Sequence, residues 1–128
     1  MIVARITALL CMSVGLCVAR AQRSTVIFEE PAFPVADSTA ISVQALQQGF
    51  AGARAVNAMQ LSEALADPAS ALLVMPYGSA FPEEAWPAIL RYLERGGDLI
   101  VLGGKPFTQA AFQTSRGWKL RPPSARWC

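Results

Sequence analysis

Ala71-Leu72-Leu73-Val74-Met75 and Leu99-Ile100-Val101-Leu102 are short, wholly apolar runs on either side of one amphipathic segment. Runs of this kind, with no polar alternation, suit strands buried on both faces, as in parallel sheets covered by helices. The stretch therefore reads as a β-α-β crossover, and the connecting helix is well marked. Pro82 and Pro87 fit only near its first turn, Glu83 and Glu84 favour its positive end, and Arg91 and Arg95 favour its negative end. Gly96 and Gly97 stop it, and Trp86, Ile89, Leu90 and Leu93 fall at the spacing of one apolar face. Trp86 reads as core rather than as a platform for a ligand.

Working outward, Thr25-Val26-Ile27-Phe28 is a first strand, ended by Glu29, Glu30 and Pro31, and Pro31 and Pro34 hold the following loop extended. Asp37 or Ser38 is placed to cap a helix whose stripe is Val43, Leu46 and Phe50 and whose stop signals are Gly49 and Gly52. A weak second strand near Ala53 to Val56 suits a sheet edge, and Ser62 is placed to cap a brief helix through Leu65. The expected fold is α/β, a three-layer, doubly wound parallel sheet of about four strands in the order 2-1-3-4, left incomplete. Residues 108–128 are expected to form an irregular basic tail.

The amino terminus has the form of a secretory leader. Met1 to Arg5 carries one positive charge, Ile6 to Val18 is apolar, and Ala19-Arg20-Ala21 offers small residues at the two positions a signal peptidase reads. The apolar run falls short of the roughly 20 residues a membrane span needs. Cys17 follows Leu16, where a lipidation signal wants a small residue. Residues 1–21 are thus expected to be cleaved, giving a secreted or periplasmic protein with no stable membrane span. The leader also removes Arg5 and Arg20, so the mature chain holds nine basic and nine acidic residues. Five of those basic residues and none of the acidic ones lie from Lys105 onward, but they are scattered among Gly, Pro and Trp and make no nucleic-acid footprint. With Cys11 and Cys17 in the leader, Cys128 alone remains and closes no internal disulfide.

Doubly wound sheets bind ligands at the carboxyl ends of their strands, where the strand order reverses. That edge collects Glu29 and Glu30, then Tyr77, Gly78 and Ser79, then Gly103, Gly104 and Lys105, which are the ligand-binding candidates. Each also has a plain structural role: glycines for tight turns, Tyr77 as packing beneath a loop, the glutamates as solvated charges. Catalytic patterns fail in turn. The chain contains no His, which removes Ser-His-Asp and Cys-His systems and His-based metal sites. Tyr77-Gly78-Ser79-Ala80-Phe81 lacks the second Gly of a nucleophile elbow. Gly103-Gly104-Lys105 has Leu99 where a phosphate loop has its first Gly, and Pro106 where it has Ser or Thr. A Ser79–Lys105 dyad and a Glu29–Glu30 pair are left, and adjacent strand residues point to opposite faces. No catalytic residue, metal or cofactor is assigned.

Leu73-Val74-Met75-Pro76-Tyr77-Gly78-Ser79-Ala80-Phe81-Pro82 and Tyr92-Leu93-Glu94-Arg95-Gly96-Gly97-Asp98-Leu99-Ile100-Val101-Leu102-Gly103-Gly104-Lys105-Pro106-Phe107 together resemble the class I glutamine amidotransferase-like, flavodoxin-like fold. The likeness is to versions attached to secreted bacterial carbohydrate-active proteins, including the trimerisation domain of some β-galactosidases, and covers residues 24–107. Active members carry a nucleophilic Cys at the turn after a strand such as Leu99 to Leu102, with a later His. Here that turn is Gly103-Gly104-Lys105, so the resemblance implies a domain without amidotransferase activity. It also implies further strands, with Gly117-Trp118-Lys119-Leu120-Arg121-Pro122-Pro123 leading into them, and so a fragment of a larger protein. The function expected is a non-catalytic exported module of a secreted carbohydrate-active protein, its partner another domain of that protein or a second copy. The alternatives are a sugar-binding crevice and a hydrolase using Ser79 and Lys105.

Overall fold

A computed structural model describes residues 23–122, so the expected leader at 1–21 and Cys128 lie outside the described residues. Strand β1 (Ser24–Phe28) leads to helix α1 (Val43–Gly49), β2 (Arg54–Val56), α2 (Ala58–Ala66) and β3 (Ser70–Met75). The chain continues through β4 (Ala80–Pro82), a 3₁₀ turn at Glu83–Ala85, α3 (Trp86–Glu94), β5 (Asp98–Val101), β6 (Gln109–Thr114) and β7 (Gly117–Leu120). Four strands form an all-parallel sheet in the order β2-β1-β3-β5, the expected 2-1-3-4 topology with β5 as its fourth strand.

Alternation along the strands divides the core in two. Val26, Phe28, Leu73 and Met75 face α2 and α3, where they meet Leu61, Ala64, Leu65, Ile89 and Tyr92. Ile27 and Val74 face the other way and pack on Leu46 of α1. The sheet is thus covered on both faces, and the one buried polar residue of its two central strands, Ser70, donates its hydroxyl proton to the Ala64 carbonyl at 2.6 Å. Each of these large side chains, withdrawn from water, contributes roughly 1.5–3 kcal/mol.

The helix ends differ from the expected ones for identifiable reasons. Ser42, not Asp37 or Ser38, caps α1, its Oγ accepting the Ala45 N–H at 3.2 Å. Asp37 and Ser38 are engaged at the strand ends instead. Ser62 lies inside α2, whose cap is Asn57: Asn57 Oδ1 accepts the Gln60 N–H at 2.9 Å while Gln60 Oε1 accepts the Asn57 N–H at 3.1 Å. The fully buried residues of α3 are Ala88, Ile89 and Tyr92, with Ala85 buried in the 3₁₀ turn before it, and Leu90 is 40% exposed. Of the expected stripe, Ile89 is fully buried and Trp86 and Leu93 are half-buried against the same core, so Leu90 alone departs from it. Tyr92 is 1% exposed and donates its hydroxyl proton to the Asp98 carbonyl at 2.8 Å. Arg95 does not stay with its own helix; its guanidinium reaches the Leu65 and Asp67 carbonyls at 2.7 and 2.8 Å, at the carboxyl end of α2.

The region read as an irregular tail is ordered for most of its described length. β6 and β7 form an antiparallel hairpin, Gly117 takes φ 105° at its turn, and β6 pairs in parallel with β4. This second sheet, β4-β6-β7, sits against the first through Ala111, Trp118 and Leu120. Its strands escaped the sequence reading because β4 has three residues ending in Pro82, and β6 is Gln109-Ala110-Ala111-Phe112-Gln113-Thr114, with little β-branched or apolar patterning.

Gly97 has no positive φ, yet a Cβ there would collide with the Tyr92 ring. Gly97→Ala is therefore expected to lower unfolding free energy by about 1–3 kcal/mol in urea titrations. Gly49→Ala, at the end of α1 with open space around it, should leave stability within about 0.5 kcal/mol of wild type or raise it.

Candidate functional site

The carboxyl ends of β1, β3 and β5 bring five of the eight candidate residues together, and Ser79 is their centre. Its side chain is 0% exposed. The hydroxyl donates to Asp37 Oδ2 at 2.6 Å and accepts the Lys105 backbone N–H at 2.8 Å. The Ser79 N–H donates to the Ala36 carbonyl at 2.9 Å, and its own carbonyl accepts the Gln109 N–H at 3.0 Å. Three segments of chain, at Ala36–Asp37, Lys105 and Gln109, therefore meet on one residue.

The glycines are required by this crowding. Gly78, Gly103 and Gly104 all have positive φ, at 65°, 79° and 64°. A Cβ would strike the Ala36 carbonyl at Gly78, the Ser38 side chain at Gly103, and Ser79 at Gly104. The turn after β5 thus lets two other loops approach, and a nucleophile side chain at either glycine would displace them. Ala36 forms a parallel bridge with Gly78, and Ser38 Oγ donates to the Leu102 carbonyl at 3.3 Å, so the segment from Pro31 to Ser42 lies across the crevice.

Glu30 and Tyr77 form a separate lock beside it. The Tyr77 hydroxyl accepts the Glu30 N–H at 2.9 Å and donates to the Glu30 carbonyl at 3.2 Å. Glu30 Oε2 accepts the Ala58 N–H at 2.8 Å, where a carboxylate also meets the positive end of α2. The Tyr77 ring packs edge-on to Phe28 and Phe33, with centroids 5.3 and 4.8 Å away, and Phe33 in turn meets Trp118 of β7 at 5.0 Å. Glu29 is partly buried and donates its N–H to the Val56 carbonyl at 2.8 Å. The two glutamates thus have different surroundings and do not form a paired acid and base.

Lys105 is exposed, and the group it offers Ser79 is its backbone N–H rather than its ammonium. The Ser79 oxygen has both its proton and a lone pair committed and no open surface, so a substrate carbonyl has no line of approach. No buried side-chain nitrogen or oxygen among the described residues lacks a partner, and no group there of three or more His, Cys, Asp and Glu could hold a metal ion. A groove between α2 and α3 (about 220 Å³) and one beside β2 (about 160 Å³) are lined by none of the eight candidate residues and fall below the roughly 300–1,000 Å³ of ordinary ligand pockets. No described helix is long and apolar enough to cross a membrane.

The residues missed from sequence are Ala36, Asp37, Ser38 and Phe33. The available signal was a single carboxylate in a proline-held loop leaving β1, which is also what a helix cap looks like.

Fold and crevice together define a doubly wound α/β domain whose strand-end site is filled by its own β1–α1 loop. Compared with protein-family models, with curated proteins and with solved structures, the chain matches none.

Burial raises the Tyr77 pKa above its usual value of about 10, opposed by the hydrogen bond to the Glu30 backbone and reinforced by the Glu29 and Glu30 charges. The fold therefore favours the neutral phenol. That contribution is complete below the unfolded value and is lost as pH rises through the folded one. Tyr77→Phe is expected to cost about 1–2 kcal/mol at pH 7, from the lost lock on Glu30, and to show a shallower loss of stability above about pH 10 in urea titrations. The residual alkaline loss should include Tyr92, whose pKa is also raised by burial.

Proposed function

We propose that this chain is a non-catalytic, exported α/β domain, a structural or interaction module of a larger secreted carbohydrate-active protein. The observation that carries the non-catalytic part is the committed state of Ser79: fully buried, donating to Asp37 and accepting from Lys105 N–H. The glycine turn after β5 supports the same reading, since the resembled family places its nucleophile there and here Ser38 and Ser79 occupy the space. Export rests on the leader-like Met1 to Ala21, and the carbohydrate-active setting on the resemblance over residues 24–107.

The mature protein is expected to turn over no member of an ester and glycoside panel above the level of a Ser79→Ala/Lys105→Ala double variant. Turnover lost in either single variant would replace this reading with the hydrolase one. Neutral sugars are expected to leave the melting temperature unmoved; a concentration-dependent rise would favour sugar binding at the strand ends instead.

A further inference from the structure

The segment filling the crevice makes the contacts a bound ligand would make. Asp37 sends its carboxylate to the fully buried Ser79 hydroxyl at 2.6 Å, and Ala36 accepts the Ser79 N–H at 2.9 Å. The place is the switch point between β1 and β3, where sheets of this topology bind ligands. Among the described residues, the non-glycine ones with left-handed backbone, Ala32 (φ 59°), Asp37 (φ 56°) and Phe107 (φ 56°), all lie in the two loops that border it. Such conformations cost on the order of 1 kcal/mol or more and persist where surrounding contacts impose them. The loop from Pro31 to Ser42 is thus held by what it touches, and Gly78, Gly103 and Gly104 leave it the room.

We propose that this crevice is a binding site for the carboxylate of a small organic acid, occupied in cis by Asp37. A free carboxylate in the same position accepts the Ser79 hydroxyl proton and releases Asp37. Lys105, exposed at the rim, adds positive charge to the approach. The tethered Asp37 competes at an effective concentration of about millimolar or more, so the intact chain responds weakly to added acid and a chain without this carboxylate responds strongly.

Asp37→Gly removes the carboxylate and keeps a residue at ease with φ 56°. Its melting temperature is measured in sodium acetate and in sodium chloride at equal ionic strength and pH. The expected result is a rise of about 3–5 °C in acetate over chloride once acetate exceeds its Kd, with wild type rising by less than about 1 °C and Asp37→Gly/Ser79→Ala unresponsive. Should Asp37→Gly be unfolded in chloride, recovery of its native circular dichroism in acetate is expected, and failure to recover overturns the proposal. It is equally overturned by no acetate-specific rise in a folded Asp37→Gly, by an equal rise in wild type, or by a rise that survives Ser79→Ala.

Discussion

One hydroxyl holds the functional edge of this domain together. Ser79 Oγ gives its proton to Asp37 and receives one from the Lys105 backbone, so the loops leaving β1, β3 and β5 converge on a single oxygen atom. Parallel strands end on the same side, and each ending leaves unpaired backbone groups that would otherwise face one another across a crevice. Here the Ala36–Gly78 bridge and the Ser79 N–H to Ala36 bond satisfy part of that demand with the chain itself. A charged acceptor makes the Ser79 bond stronger than a neutral pair of the same geometry.

The rest of that edge is arranged around the same constraint. Phe33, carried by the β1–α1 loop, enters an aromatic group with Phe28, Tyr77 and Trp118, which ties the main sheet to the hairpin of the second one. Phe81, Trp86 and Phe107 make a second group at the start of α3, with centroid separations from 5.0 to 5.7 Å. Glu83 pairs with Arg121, whose guanidinium also lies 4.6 Å from the Phe112 ring centre. That pair is solvent-exposed and adds little energy. The Phe33–Trp118 contact, the burial of Ala111 and the Gln109 N–H to Ser79 carbonyl bond also join the second sheet to the first.

Function follows from occupancy more than from residue type. Ser, Lys, Glu and Tyr at strand ends are a familiar reactive set, yet Glu30 holds the α2 backbone, Tyr77 holds the Glu30 backbone, and Ser79 holds the Asp37 carboxylate and the Lys105 backbone N–H. That use of polar side chains supports the proposed non-catalytic reading. The leader and the carbohydrate-active setting rest on sequence pattern and resemblance.

The long-range architecture was legible because burial on both faces leaves a direct trace: β1, β3 and β5 are nearly free of polar residues, and the proline and glycine positions around α3 mark its ends. The placement of Gly78, Ser79, Gly103, Gly104 and Lys105 at one edge followed from that topology. What the residues become there did not, since a lone Asp in a loop reads as a helix cap until a partner 42 positions away claims it. The hairpin of β6 and β7 was hidden for the same reason: short, weakly apolar strands are stabilised by what they pack against. Sequence by itself determined the parallel α/β sheet and its order, because those depend on local periodicity and handed connections. Only the tertiary structure decided that the crevice is filled, because filling it depends on contacts between residues far apart in the chain.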